Sequence, residues 1–173
     1  VVGVELNPEA ARDAAANARR NGAANARFYQ EDATQWLTRQ AAEGQKTDVI
    51  FLDPPRAGST PEFLRAAAAM KPSRMVYVSC DPATQARDLE LLTRLGYRME
   101  RAWPVDLFPH TEHVETVCRL VLRKPAAHGN NNAHMEQPNK ETMAAMLEAE
   151  RITRNPSEKR YSNVEKALKA LKK

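Results

Sequence analysis

Residues 74–82 read RMVYVSCDP and contain a complete transition from a strand to a helix. The apolar run at 74–79 predicts a buried strand, because both of its faces would lie against other elements. Asp81 provides an N-cap and Pro82 a favourable first helical residue, so a helix is expected to begin here and to end at Gly96. A buried strand that leads directly into a helix is typical of an α/β fold with a mainly parallel sheet.

The segments on both sides repeat this alternation of strand and helix. Upstream, DVIFLD at 48–53 predicts a buried central strand. Downstream, two β-like segments without a clear intervening helix predict an antiparallel pair at one sheet edge. The predicted strands are 1–6, 27–30, 48–53, 74–79, 97–103 and 114–122, and the predicted helices begin near Pro8, Ala33, Pro61 and Pro82. The sequence therefore predicts an α/β domain over residues 1–124.

Composition limits the class of protein. Hydrophobic residues make up 42% of the 173 residues, which is enough for the core of one domain. The two cysteines, Cys80 and Cys118, are too few and too far apart for a disulfide framework or a zinc site, and they indicate a reducing, cytoplasmic setting. No apolar run approaches the roughly 20 residues that cross a membrane. A net charge of +4 is compatible with RNA binding and equally with an ordinary solvated surface.

The composition changes at Pro125. Residues 125–137 are polar and contain Gly and several Asn residues, which predicts a linker. Residues 138–173 contain helical runs but too few apolar side chains to fold alone. We expect them to form a helical segment that either binds a partner or is a loosely held extension.

Two acidic residues follow the first two predicted strands. Glu5 ends the strand at 1–6, and Asp32 comes after the strand at 27–30. In open α/β sheets ligands bind at the carboxyl ends of the strands, so Glu5 can hold two ribose hydroxyls and Asp32 can accept a hydrogen bond from an adenine amino group. Together they indicate an adenosine-containing cofactor, whereas each alone is equally consistent with a surface acid or a helix cap. The Gly-rich turn that usually accompanies a nucleotide site is not found.

The motif DPPR at 53–56 follows the strand at 48–53. Two prolines hold the backbone after Asp53 stiff and extended. Asp53 can accept a hydrogen bond from N3–H of a flipped pyrimidine, and Arg56 can approach a phosphate. A purely structural turn is the alternative.

Cys80 lies between the strand at 74–79 and the helix that begins at Pro82. The partial positive charge of a helix N-terminus favours a thiolate, which is a nucleophile able to add to C6 of a uracil ring. A packed core cysteine is the alternative, and the position at the end of the strand argues against it. We expect Cys118, inside the last strand, to be an inert core thiol.

The chemistry of Cys80 also requires a base, and residues 108–116 contain candidates. Glu115 begins the last strand among apolar residues, which would raise its pKa. His110 and His113 are rivals for this role. The two histidines with their neighbouring acids do not lie on one helix face, and no further ligand cluster accompanies them, so we expect no metal.

Three motifs together resemble one enzyme family. LDPPRAG at 52–58, VYVSCDPATQARDL at 76–89 and FPHTEHVET at 108–116 closely resemble the bacterial 23S ribosomal RNA (uracil-5)-methyltransferases and, more distantly, the tRNA uracil-54 methyltransferase. GVELNPEA at 3–10 and EDA at 31–33 are similar to the segments with which that family binds S-adenosylmethionine (SAM). The resemblance spans residues 1–124. It implies that Cys80 is the nucleophile, that Glu115 is the general base, that Asp53 contacts the target uracil, and that Glu5 and Asp32 hold SAM.

The resemblance also implies what this chain lacks. Members of the family carry an RNA-binding β-barrel, often with an iron–sulfur cluster, and then a first sheet strand and a Gly-rich loop. The expected fold is therefore a Rossmann-like, SAM-dependent methyltransferase sheet without its first strand and Gly-rich loop. Because that strand normally lies between the strands at 1–6 and 48–53, we expect both of these to present unpaired edges.

Residues 138–173 resemble a second family, the RelB/DinJ-type antitoxins. The likeness is to their C-terminal, toxin-wrapping part, and it implies a toxin protein as a partner. Three functions are thus compatible with the sequence, in decreasing order of support. They are uracil C5 methylation in RNA, toxin binding by a non-enzymatic module, and SAM-dependent modification of protein or DNA.

Overall fold

The computed structural model describes residues 1–107, 110–111 and 113–123. Strands and helices alternate along most of this part, which confirms the predicted α/β fold. The strands are β1 (Val2–Glu5), β2 (Arg27–Gln30), β3 (Val49–Leu52), β4 (Arg74–Ser79), β5 (Tyr97–Val105) and β6 (Glu115–Leu122). The helices are α1 (Pro8–Arg20), α2 (Ala33–Ala42), α3 (Pro61–Ala69) and α4 (Pro82–Arg94).

The helices begin at capping residues that are legible in the sequence. Asn7, Asp32, Thr60 and Asp81 are the N-caps, and each side chain accepts a hydrogen bond from a backbone N–H of the first turn. Such a cap stabilises a helix by about 1 kcal/mol. Because Asn7, Asp32 and Asp81 each come two residues after the end of a strand, they bring the N-termini of α1, α2 and α4 to the carboxyl edge of the strands.

The strands form two sheets within the described residues. β1 and β2 pair in parallel, and a second sheet has the order β3-β4-β6-β5. β3 and β4 are parallel, whereas β6 is antiparallel to both of its neighbours. The predicted antiparallel pair of the last two strands is thus confirmed, with β5 at the sheet edge.

One core covers a face of the larger sheet. α3 and α4 pack there, and α2 adds Leu37 to the same cluster. Among the most buried side chains are Leu64, Met75, Tyr77, Leu92, Tyr97, Cys118 and Leu120. This packing fixes α4, and with it the end of β4, against the sheet.

The prediction that residues 48–53 form a buried central strand is wrong for most of β3. Phe51 is 69% exposed, and Leu52 is the residue of β3 that is buried. Side chains alternate between the two faces of a strand, so Ile50 and Leu52 face the core while Phe51 faces the opposite side, where no described helix adds to the hydrophobic cluster. In addition, β3 pairs with β4 on one side, and its other edge has no partner strand in the described residues. β1 likewise pairs with β2 alone, and Val2 is 48% exposed. Within the part of the chain that the structure describes, β1 and β3 thus each have one edge without a partner strand.

Some predictions fall outside the described residues. The linker at 125–137 and the helical tail at 138–173 are among them, as is the last residue of the predicted 1–124 domain. Among the helices that the structure describes, none combines the length and the apolar character needed to span a bilayer.

Candidate active site

Three predicted site residues follow or begin neighbouring strands at one edge of the larger sheet. Asp53 comes after β3, Cys80 comes after β4, and Glu115 is the first residue of β6. In the β4–β6 ladder the last pair is Ser79 with Thr116. Cys80 and Glu115 each lie one residue beyond this pair, Cys80 after the end of β4 and Glu115 at the start of β6. Strand register thus brings the predicted nucleophile and the predicted base to the same edge of the sheet.

The electrostatics show that Asp53 and Glu115 are also near each other. Burial raises the pKa of Glu115, and the negative charge of Asp53 raises it further. Much of Asp53 is exposed to solvent, but partial burial of its carboxyl group raises its pKa as well. A carboxylate with a raised pKa binds a proton more readily, which suits a general base.

The turn that carries Cys80 is fixed by the residues on either side of it. The buried Ser79 hydroxyl donates to the carbonyl oxygen of Asp81 at 3.0 Å and accepts from the Asp81 N–H at 3.1 Å. Asp81 then caps α4 by accepting from the N–H groups of Ala83 and Thr84. The half-buried thiol of Cys80 is therefore held at the N-terminus of α4, as predicted.

Arg56 lies beside the same helix start. Its Nε is 3.7 Å from Oδ2 of Asp81, and its carbonyl oxygen accepts a hydrogen bond from the Thr84 hydroxyl at 3.0 Å. Hydrogen bonds from Thr84 and Ala83 lower the pKa of Asp81, and Arg56 lowers it further. The Arg56 side chain is 64% exposed, so its guanidinium can contact a ligand from solvent.

Glu5 and Asp32 lie together at the carboxyl ends of the smaller sheet. Glu5 pairs with Gln30 in register, and Asp32 follows two residues after Gln30. Oε1 of Glu5 accepts from the Asn7 N–H at 2.7 Å, and Oδ1 of Asp32 accepts from the Gln35 N–H at 2.9 Å. Asp32 is thus a helix cap, which was the alternative interpretation. Each of these contacts uses one carboxylate oxygen, so both residues can also bind a ligand.

The remaining candidates occupy different surroundings. His110 and His113 are exposed in the segment between β5 and β6, and His110 has a left-handed backbone with φ 71°. Within the described part of the chain, no three or more His, Cys, Asp and Glu side chains are grouped so as to hold a metal ion. Cys118 is buried in the core, as predicted, and burial raises the pKa of its thiol to about 12.

Two buried polar residues of α4 were missed by sequence reasoning. Gln85 and Asp88 are each 2% exposed. The Gln85 side-chain amide donates to the carbonyl oxygens of Tyr77 at 3.1 Å and Thr116 at 3.2 Å, which joins α4 to β4 and β6. The signal was available, because residues 85 and 88 share a helix face with the apolar Leu89 and Leu92.

Comparison with known proteins first defines the class. The fold is that of Rossmann-like methyltransferases: an rRNA methylase from Streptococcus thermophilus superposes with a TM-score of 0.56 over 72% of this chain and 74% of that one, at 9% identity. Residues 34–124 match the family described as tRNA (Uracil-5-)-methyltransferase. The chain belongs to this family. Asp53, Cys80 and Glu115 all lie in the matched region.

Longer relatives share the same region. A protein of Lactobacillus johnsonii named as an uncharacterized RNA methyltransferase is 50% identical over 120 residues, which cover 69% of this chain and 27% of that protein. A tRNA (uracil-54, C5)-methyltransferase of Pyrococcus abyssi, solved with S-adenosyl-L-homocysteine, is 36% identical with a TM-score of 0.61. The match covers 70% of this chain and 28% of that one. The chain thus spans little more than a quarter of the length of these relatives.

Proposed function

We propose that this domain methylates C5 of a uracil base in RNA, with Cys80 as the nucleophile and SAM as the methyl donor. The observation that carries the proposal is the position of Asp53, Cys80 and Glu115 at one edge of three neighbouring strands, where the charge of Asp53 acts on Glu115. Family membership and the similarity to the Pyrococcus abyssi enzyme support it.

Glu5 and Asp32 would hold SAM. Their carboxylates lie at the carboxyl edge of adjacent parallel strands, which is where open α/β sheets bind nucleotides. Acceptor groups of this kind fit the donor groups of an adenosine, namely two ribose hydroxyls and the adenine amino group. SAM supplies the methyl group that the reaction transfers.

The protein residues then act on the uracil in a defined order. The target base must leave its stack, and ionised Asp53 accepts a hydrogen bond from uracil N3–H, which neutral cytosine lacks. The Cys80 thiolate forms a bond to C6, and the electron pair of the C5–C6 double bond makes C5 nucleophilic. After C5 is methylated, Glu115 takes the C5 proton. The double bond re-forms as the bond between C6 and the Cys80 sulfur breaks, which releases the product.

Arg56 would bind a phosphate beside the target base, because its exposed guanidinium lies next to the turn of Cys80. We propose 23S ribosomal RNA as the substrate, because the three site motifs resemble those of the 23S ribosomal RNA (uracil-5)-methyltransferases. Transfer RNA is the alternative substrate against which it should be tested. A toxin partner for residues 138–173 stays a prediction from sequence.

Trapping of the covalent intermediate tests the mechanism. We expect Glu115→Gln to accumulate an RNA–protein adduct with SAM present, because the proton that must leave C5 is no longer removed. The adduct is measured as a shifted band in denaturing gels with 23S rRNA and tRNA transcripts. Adding Cys80→Ala should abolish the adduct, while adding Cys118→Ser, the matched cysteine control, should retain it. Release of methylated RNA by Glu115→Gln at the wild-type rate would contradict the role of Glu115.

Calorimetric titration of SAM tests the cofactor site separately. We expect micromolar binding that weakens at least tenfold in Glu5→Ala. The exposed Glu9→Ala, on the adjacent helix α1, is the matched control and should bind like wild type. Equal binding by Glu5→Ala would rule out the role of Glu5.

A further inference from the structure

A buried carboxyl group on α4 makes contacts that the proposed reaction does not use. Both oxygens of Asp88, which is 2% exposed, accept hydrogen bonds. Oδ2 accepts from the Ser59 N–H and from the Tyr77 hydroxyl, each at 2.6 Å. Oδ1 accepts from the Arg87 side chain, from Nε at 3.0 Å and from Nη2 at 2.8 Å. A buried carboxylate that accepts from four donor groups holds the segments that carry those donors in fixed positions.

These contacts converge on one loop, residues 53–59, which we name the DPPR loop. Asp88 binds its last residue directly, through the Ser59 N–H. Arg87, oriented by Asp88, donates from Nη2 to the carbonyl oxygens of Ala57 at 3.0 Å and Ser59 at 3.3 Å. The loop is thus attached to α4 at several backbone atoms, and α4 begins next to Cys80.

Gly58 shows how closely the loop approaches this pair. It has φ +78°, and a Cβ atom added there would lie 2.6 Å from Nη2 of Arg87 and 2.7 Å from Oδ2 of Asp88. A residue with a side chain would therefore push the loop away from Asp88 as well as strain the backbone. The lack of a side chain at Gly58 therefore allows the loop to pack directly against Arg87 and Asp88 of α4.

We propose that Asp88 is a positioning residue, which fixes the DPPR loop so that Asp53 and Arg56 face the base held by Cys80. The inference rests on the proposed function for its catalytic consequence, and on the hydrogen bonds alone for its structural part. Asp88 does not touch the reacting atoms. It acts through the loop, because it holds the DPPR loop, which follows β3, against α4, which follows β4 and Cys80.

Native proteolysis tests the structural part without any need for activity. Trypsin binds its substrate in an extended form, so cleavage of the Arg56–Ala57 bond is favoured when the hydrogen bonds from Thr84 and Arg87 to the carbonyl oxygens of Arg56 and Ala57 break. The Arg39–Gln40 bond in α2 serves as an internal reference. In Asp88→Asn an NH2 group replaces one carboxylate oxygen, and an NH2 group cannot accept a hydrogen bond. The side chain therefore loses either the hydrogen bond from the Ser59 N–H or those from Arg87, depending on which way the amide is turned. We expect cleavage after Arg56, followed by mass spectrometry, to accelerate at least tenfold relative to the reference.

Two matched variants separate loop release from general destabilisation. Tyr77→Phe removes one hydrogen bond to the same carboxyl group but leaves the Ser59 and Arg87 contacts, so cleavage after Arg56 should change less than threefold. Gly58→Ala leaves Asp88 in place and displaces the loop, so it should reproduce the acceleration even if Asp88→Asn does not fold. Equal cleavage in Asp88→Asn and Tyr77→Phe, or wild-type cleavage in Gly58→Ala, would overturn the proposal.

The activity measurement then tests the catalytic consequence. We expect Asp88→Asn to lower kcat for RNA methylation by about 100-fold, the loss typical of misplacing a substrate contact by about 1 Å. Its affinity for SAM should stay unchanged, because Glu5 and Asp32 belong to the other sheet. A wild-type kcat in a variant with a released loop would overturn the positioning role. Absence of methylation by the wild-type chain would count against the proposed function, and the proteolysis result would still decide the structural part.

Discussion

The buried side chain of Gln85 offers a quantitative test of how the site is held together. Gln85→Met keeps the length of the side chain but removes the two hydrogen bonds to the carbonyl oxygens of Tyr77 and Thr116. Each buried hydrogen bond lost in this way costs about 1–1.5 kcal/mol, so we expect a destabilisation of about 2–3 kcal/mol. With the urea dependence of a small domain, the unfolding midpoint should fall by about 1 M or more.

Urea unfolding followed by circular dichroism measures this change. Gln35→Met, at an exposed position of α2, is the matched control and should stay within about 0.5 kcal/mol of wild type. Thr116 is adjacent to Glu115, so adding Gln85→Met to the Glu115→Gln variant should reduce adduct formation under conditions where the protein is still folded. If Gln85→Met matched the control in midpoint and slope, the idea that these two bonds join β4, β6 and α4 would be refuted.

Three further predictions concern charge, the second cysteine and the exposed edge. Burial raises the carboxyl pKa of both Asp53 and Glu115, so stability should fall as pH rises through their raised pKa values; Asp53→Asn should therefore melt higher than wild type at pH 7 and equally near pH 3. A lower melting temperature at pH 7 would contradict this. Cys118→Ser, added to Glu115→Gln, should keep adduct formation, but by itself it should cost about 1–3 kcal/mol in urea unfolding, because it places a polar hydroxyl in the apolar core. An exposed apolar residue on a strand with an unpaired edge favours aggregation, so Phe51→Lys should lower the binding of a hydrophobic dye and the fraction of protein that sediments after heating, with little change in melting temperature. Equal sedimentation of the variant and wild type would contradict this prediction.

The elements were predictable because their signals are local. The helices begin where capping residues precede prolines or apolar runs, and Asn7, Asp32, Thr60 and Asp81 are all readable from the sequence. The burial of β3 was not predictable in the same way. An apolar run shows that a strand suits a core, but Phe51 is exposed because burial depends on which strands and helices lie beside it.

The position of each site residue in the chain was predictable from the sequence, but the positions of the site residues relative to one another were not. The placement of Cys80 between a strand and a helix follows from neighbouring residues, whereas its proximity to Glu115 depends on the β4–β6 register, which no local pattern fixes. The rise in the pKa of Glu115 caused by the charge of Asp53 likewise depends on strand pairing, here the order β3-β4-β6. The hydrogen bonds of Asp88 could not be predicted at all, since they require knowing that the DPPR loop folds onto α4.

The separation into two sheets has a consequence for catalysis. Glu5 and Asp32 lie on the β1–β2 sheet, whereas Cys80 follows β4 of the larger one. α2 connects the two along the chain, and its Leu37 is buried in the same cluster as Leu64 of α3. If Glu5 and Asp32 hold SAM as proposed, the packing of α2 helps to set the position of the bound methyl donor relative to the thiol. SAM binding and Cys80 chemistry can each be intact in a variant that no longer transfers a methyl group, so the two must be measured separately before a loss of activity is assigned to either residue set.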